Sequence, residues 1–216
     1  MISDHDRAYY IGASDTEYVL RSWKTKTFEK WWFTKLGLTC MNFSNDAMMA
    51  GTAYEHKILD SLEIPGMQKD RQVIIGRLRV NLDGSTNDTI YEVKTYRAGK
   101  CFKPSKAYWD QVQVEMYVTG FRKAYIVAYC LQSEDYFNFY RDIDTERLSM
   151  HPIDYDKEFI NNVYLPKFKY LEECLKDGKF PTEEYATLRE ANKKACEAVE
   201  CILTDGIESG MNKYNG

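Results

Sequence analysis

The apolar positions of the chain fall into short helical and strand-like runs. Gly12 allows a tight turn, and Ser14 or Asp15 can cap a helix starting at Thr16, with Glu17 three residues after Ser14 completing a capping box. Residues 25–43 carry Trp31, Trp32, Phe33, Leu36, Leu38 and Phe43, a second helix and a connection whose aromatics suit a core. Asp46 can cap a third helix over 46–62, where Met48, Gly51, Ile58 and Leu62 recur at spacings of three and four. Pro65 and Gly66 break the chain. Residues 71–83 then alternate loosely, as one long strand or two short ones, and Ile90–Thr95 forms the next. A helix over 105–119 starts at Ser105 and ends at Gly120. Residues 124–130 and 136–143 read as strands. A long helix opens at Asp154 or Asp156 and ends near Gly178, with Pro166 kinking it. After Pro181 the chain turns more charged, with Leu188, Ala191, Ala195, Ala198, Val199 and Ile202 at helical spacing. This predicts a domain over 1–182 and a helical appendage over 183–216 with a frayed end.

Chemistry concentrates around residues 83–94. Leu82-Asp83-Gly84 ends one strand, Ser85–Asp88 form a turn, and the next strand carries Glu92 and Lys94. Strand side chains two apart share a face, so a hairpin gathers Asp83, Glu92 and Lys94 on one side. Two carboxylates that close call for a positive partner, and a hard divalent cation such as Mg²⁺ prefers oxygen ligands. The adjacent lysine can orient a water or stabilise a phosphoryl transition state. Glu55 lies within the apolar stripe of 46–62, where a carboxylate either finds a cation or reaches water at the stripe's edge. Arg97, Lys100, Lys103 and Lys106 alternate with Tyr96, Phe102, Tyr108 and Trp109, a basic and aromatic stretch suited to a nucleic-acid backbone and its bases, or to a solvated loop. Gln111 and Gln113 are polar positions in a largely buried helix and need hydrogen-bond partners.

Composition narrows the classes. The 216 residues are 44% hydrophobic and 14% aromatic, enough for a substantial core. A formal net charge of -4 excludes a uniformly basic nucleic-acid coat, so any such contact comes from a local patch. No apolar run is long enough to span a membrane, and the polar N-terminus lacks the apolar core of a signal peptide. Six scattered cysteines without a CxxC pair suit reduced thiols in a cytoplasmic setting.

Five pieces in order carry a resemblance: Gly12-Ala13-Ser14, Gly51-Thr52-Ala53-Tyr54-Glu55, Asp83-Gly84, Glu92-Val93-Lys94 and Gln111-Val112-Gln113. Together they resemble the phage-type alkaline exonucleases, the lambda exonuclease and YqaJ-like branch of the PD-(D/E)XK nuclease superfamily. Leu82 stands where the superfamily pattern has proline. The resemblance covers roughly Arg7 to Gly178 and leaves the tail from Glu183 outside. It implies an α/β (α+β) fold with a mixed central sheet flanked by helices, a restriction-endonuclease-like core. It implies that Glu55, Asp83, Glu92 and the Val93 carbonyl hold Mg²⁺ or Mn²⁺, that Lys94 activates water, and that Gln113 places water or the scissile phosphate. Arg7 and Ser14 would hold a 5′-phosphate. The implied activity is metal-dependent 5′-to-3′ digestion of one strand of linear duplex DNA, feeding a single-strand annealing partner, with the enzyme as a trimeric ring. Two other readings remain: a RecB-like or Cas4-like nuclease acting on DNA ends, and a catalytically silent DNA-binding module of the same fold.

Overall fold

The computed structural model describes residues 8–39, 45–182, 195–197 and 199–204. Its centre is a mixed six-stranded sheet. The strands are β1 (Ile11–Gly12), β2 (Gln68–Ile75), β3 (Leu78–Ser85), β4 (Thr89–Arg97), β5 (Lys123–Leu131) and β6 (Leu148–Asp154). The helices are α1 (Thr16–Leu20), α2 (Lys26–Lys35), α3 (Asp46–Ser61), α4 (Lys106–Thr119), α5 (Lys157–Phe159) and α6 (Leu165–Lys176). The fold is thus the α/β arrangement expected, a mixed sheet with helices on both faces.

Strand pairing decides where the site can form. β2 runs antiparallel to β3 from Gln68↔Ser85 to Ile75↔Leu78, interrupted at Asp70, whose φ is 55°. It fills one edge of β3, so β4 and β1 share the other. β4 pairs antiparallel with β3 through Gly84↔Tyr91 and Ser85↔Ile90, and β1 pairs parallel with it through Ile11↔Leu78 and Gly12↔Arg79. Between them, Val80–Asp83 has no strand on that edge among the described residues. β4 then runs parallel to β5 over nine residues, the connection being α4, and β5 pairs antiparallel with the edge strand β6.

Each face has its own core. Leu78, Val80, Leu82 and Ile90 pack with Val112, Val114 and Met116 of α4, with the aromatics Trp23, Phe28, Trp31 and Trp32, and with Phe168 and Leu171 of α6. Tyr91, Val93, Val127 and Tyr129 pack under Ala50, Tyr54, Ile58 and Leu59 of α3. The buried stripe of α3 is therefore Ala50–Tyr54–Ile58–Leu59, whereas Met48 is half exposed. The expected stripe is rotated, and Glu55 sits beside it, half-buried. α3 lies close to the sheet because of two glycines. A Cβ on Gly51 would stand 3.3 Å from Thr95 Oγ1, and one on Gly84 would stand 2.7 Å from Leu59 Cδ2 and 2.9 Å from Met67 Sδ.

Caps follow the sequence in part. Ser105 accepts from Tyr108 N–H, and Gly120 closes α4 in the left-handed region. Thr25 caps α2, and Asn45 rather than Asp46 caps α3. The Ser14–Glu17 capping box does not form. Asp15 instead folds back to accept from Gly12 N–H at 2.8 Å, and Ala13–Asp15 make a 3₁₀ turn before the five-residue α1.

The strand expected over 136–143 is absent. Ser133–Tyr136 is a 3₁₀ turn, and the chain is then irregular up to a second 3₁₀ turn at Thr145–Arg147. Side chains take the backbone groups a neighbouring strand would have used. Tyr54 Oη donates to Asn138 O at 2.6 Å, Lys57 Nζ donates to Phe139 O at 2.9 Å and to Arg141 O at 3.1 Å, and buried Asp135 pairs with Arg147. The strand is instead β6, which carries Pro152 and lies at the sheet's edge, where a residue without an N–H is tolerated. The long helix starts at Lys157, capped by Asp156. Ile160–Tyr164 form a π turn just before Pro166, which absorbs the missing proline donor that was expected to kink the helix. Beyond α6 the chain is tied to α2, where Trp32 Nε1 donates to Lys179 O at 3.0 Å and Phe180 packs edge-on against Phe28. Of the predicted appendage, 195–197 and 199–204 are helical and Cys201 is buried. Among the described residues no helix is long and apolar enough to cross a membrane.

Adding one methyl at Gly84 must displace the buried Leu59 and Met67 tips. Gly84→Ala is expected to lower stability by about 1–3 kcal/mol through overpacking. A urea titration checks this, and an unchanged midpoint at constant slope would show that α3 can move away freely.

Candidate active site

The split in the sheet positions the chemistry. Extending the β3–β4 register by one step sets Asp83 opposite Glu92, but the ladder stops at Gly84–Tyr91. Asp83 replaces the missing ladder bond, its Oδ2 accepting from Val93 N–H at 2.8 Å. In a strand the N–H and C=O of one residue leave from the same edge, so the Val93 carbonyl faces the opening too. Glu92 is buried. Its Oε1 accepts from Lys94 Nζ and from Gln111 Nε2, both at 2.6 Å, and its Oε2 has no hydrogen-bond partner. Lys94 Nζ also lies 3.4 Å from Gln111 Oε1 and 5.1 Å from the centre of the Tyr108 ring. Glu55 approaches from α3, near enough that its charge and those of Asp83 and Glu92 act on one another.

The electrostatics describe a site with too few positive charges. Burial first, then Glu92 and Glu55, push the Asp83 carboxyl well above its ordinary range. Burial and Glu92 also raise Glu55. Burial would lower the Lys94 ammonium, but Glu92 and Asp83 outweigh it, so Lys94 stays protonated above its usual range. Asp83, Glu92, Glu55 and the Val93 carbonyl form an all-oxygen donor set, and Glu92 Oε2 is a buried acceptor lacking a partner. That chemistry fits a hard divalent cation. Among the described residues, the three His, Cys, Asp or Glu side chains whose ligand atoms all lie within 4.8 Å of one another are Glu55, His56 and Asp70, with His56 Nε2 2.9 Å from Asp70 Oδ2. Asp83, Glu92 and Glu55 are spread more widely.

The expected residues divide between this centre and other places. Asp83, Glu92, Lys94, Glu55 and Val93 come together. Gln113, expected to place water or the scissile phosphate, does not join them. It is fully buried, donates through Nε2 to Asp154 O at 2.8 Å, and accepts from Asp156 N–H at 2.7 Å, which ties α4 to the end of β6. Both ends of its amide are committed there, and the glutamine at the carboxylates is Gln111. Ser14 is exposed on the rim of a cavity of about 250 Å³ lined also by Asp15, Lys35, Arg79, Asn81, Gln111 and Glu115. Arg7 lies outside the described residues. Arg97, Lys100 and Lys103 are exposed on β4 and the connection after it. Lys106 is tied to its own helix, 2.5 Å from Asp110, and leans on Trp109 and Phe159.

Three contributors were not picked out from the sequence. Lys35 is buried, donating to Tyr10 O and pairing with Asp15, both at 2.7 Å. Arg79 is buried beneath the Tyr10 ring. Glu115 is buried behind Gln111. Glu115 stands four residues after Gln111 on a predicted buried helix, a spacing that could have revealed it; nothing local distinguishes Lys35 or Arg79 from surface cations.

No family model matches the sequence. The fold is similar to the crystal structure of an alkaline exonuclease from Laribacter hongkongensis, with a TM-score of 0.60 and 20% identity over 88% of this chain and 97% of that one. A structure of that exonuclease in complex with dAMP gives 0.57 and 21% identity over 87% and 95%. A phage-related exonuclease from Haemophilus somnus gives 0.57 and 15% identity over 81% and 100%. The chain has the phage-type alkaline exonuclease fold. Within that exonuclease fold, the split sheet carries the carboxylates described above. A separate match is short. Over 39 residues, 18% of this chain, it is 97% identical to the peptidyl-tRNA hydrolase of Lachnospira eligens, and over 39 residues 49% identical to that of Alkaliphilus oremlandii. The chain spans 21% of the length of these curated relatives.

Asp83 and Glu55 hold protons to higher pH in the folded protein than in the unfolded chain. Folding therefore takes up protons, and stability falls as pH rises from the ordinary carboxylate range, about 4, through the raised values. In a chelating buffer the urea midpoint is expected to drop as pH rises above the ordinary carboxylate range. Asp83→Asn is expected to flatten that slope, and an identical slope in the variant would remove Asp83 from the titrating set.

Proposed function

We propose that the protein is a metal-dependent deoxyribonuclease that hydrolyses phosphodiester bonds from the ends of linear duplex DNA. The observation that carries this is the ion pair of buried Glu92 with half-buried Lys94, facing Asp83 across the split between β3 and β4. Asp83, Glu92, Glu55 and the Val93 carbonyl would hold Mg²⁺ or Mn²⁺. When bound, the cation supplies charge neutralisation at the phosphoryl oxygens and makes an attacking water more acidic. Lys94 remains an ammonium, so its part is that of a cationic donor aimed at the developing charge rather than of a base. Gln111 holds Glu92 Oε1 from the side opposite α3. The burial of these groups in a low-dielectric wall strengthens each of those interactions.

The finer reading has its own support. The cavity with Ser14 on its rim and Lys35 and Arg79 in its wall shares Gln111 with the carboxylate centre, which suits a terminal 5′-phosphate held beside the bond to be cut. Digestion would then run 5′ to 3′ on one strand, with Arg97, Lys100 and Lys103 following the backbone. Resection for single-strand annealing, a cytoplasmic setting and a trimeric ring follow from the resemblance. The 39 residues shared with peptidyl-tRNA hydrolases are too small a part of those enzymes to bring their activity with them.

The test uses linear duplex DNA labelled at one end, with and without a 5′-phosphate, in Mg²⁺ or Mn²⁺, beside a closed circle. One strand is expected to shorten progressively, faster with the phosphate, while the circle stays intact. Cutting of the circle would make the protein an endonuclease, and no cutting with either metal would favour a silent binding module. Lys94→Ala is expected to lower cleavage by about 10²–10³-fold with unchanged folding, and full activity in that variant would end its assignment. Ser14→Ala is expected to reduce the preference for phosphorylated ends about tenfold, read from paired substrates in one reaction.

A further inference from the structure

Glu115 lies on α4 one turn beyond Gln111 and is completely buried. Its Oε1 accepts from Gln111 Nε2 at 2.8 Å, and its Oε2 has no hydrogen-bond partner. The same Gln111 Nε2 donates to Glu92 Oε1 at 2.6 Å, and Gln111 Oε1 faces Lys94 Nζ. A side-chain amide has two donor hydrogens at one end and an acceptor at the other. Placing the NH₂ end between two carboxylates uses both hydrogens and leaves the carbonyl toward the lysine. With an apolar residue at 115, one of those hydrogens loses its acceptor and the amide gains freedom to turn.

Packing gives no reason for an acid here. Val112, Val114, Met116 and Val118 around it on α4 are all core residues. A buried carboxylate with one oxygen unpartnered costs stability that an apolar side chain would not. We propose that Glu115 is a positioning residue that anchors Gln111 and, through it, the Glu92–Lys94 pair. The inference rests on the reading of Glu92 and Lys94 as the reacting centre. Groups that orient metal-binding carboxylates at one remove change affinity or activity by about 10–100-fold when lost.

The test compares Glu115→Leu and Glu115→Gln in the full chain through three readouts: urea stability in chelator, Mn²⁺ titration by calorimetry, and kcat and KM on linear duplex. The leucine variant is expected to be as stable as the unmodified protein or more so. It should bind Mn²⁺ about tenfold more weakly and lose about 10–100-fold in kcat, with KM little changed. The glutamine variant keeps an acceptor for Gln111 and is expected to recover most of both losses. Unchanged Mn²⁺ affinity and kcat in the leucine variant would overturn the proposal, as would equal losses in both variants or a loss that tracks falling stability. If the unmodified protein binds Mn²⁺ but does not cleave, the nuclease reading fails while the calorimetric comparison still decides the role of Glu115. A protein that neither cleaves nor binds Mn²⁺ overturns both.

Discussion

The hydrogen bond from Val93 N–H to Asp83 Oδ2 is the constraint on which the site depends. An antiparallel pair normally exchanges backbone bonds along its length, and a buried N–H left without one is costly. Here a side chain accepts what the facing strand would have accepted, so β4 can leave β3 after a single full hairpin turn without an unmet donor. The opening that results is bounded by β1 pairing further along the same edge. It turns two strand carboxylates toward each other while β5 keeps β4 rigid on its far side.

That rigidity holds charges in an arrangement they would not adopt freely. Asp83, Glu92, Glu55 and Glu115 lie around one ammonium, and three of these acids are pushed upward, burial being the largest cause in each case. Like charges in a low-dielectric wall repel more strongly than in water, so the fold tolerates this grouping only because the surrounding cores over-determine the positions. Such a concentration of locally unfavourable choices is the usual mark of a site kept for its chemistry.

Much of this was legible in the sequence, because it rests on short-range pattern. Asp83-Gly84 and Glu92-Val93-Lys94 lie on neighbouring strands of a tight hairpin, so alternation alone brings them together. Gly51 and Gly84 mark close approaches that a side chain would obstruct. What could not be read depends on long-range partners. The 136–143 segment has strand-like residues, yet Tyr54 and Lys57 of α3, more than 80 positions away, take its carbonyls. Gln111 and Gln113 are two apart on one helix and therefore point in different directions. Only the positions of β4 and β6 decide that the first meets the carboxylates and the second meets Asp154 and Asp156. Lys35 and Arg79 look like surface cations until Tyr10 and Asp15 pack against the first and the Tyr10 ring against the second.

On the proposed reading, the charge distribution also reconciles a net charge of -4 with an anionic substrate. A phosphate entering the cavity meets Lys35 and Arg79 in the wall, but the same space is bordered by Glu115 and adjoins Glu92. Repulsion from these carboxylates weakens phosphate binding as long as they are uncompensated. On the proposed reading a divalent cation removes that penalty, and a bound phosphate adds an anionic neighbour that favours the cation in turn. The two bindings are then coupled reciprocally, each strengthening the other by the same factor. Such coupling assembles the reactive charge arrangement most fully when DNA and metal are both present, which is how an acidic protein can hold a polyanion at one place without attracting it everywhere.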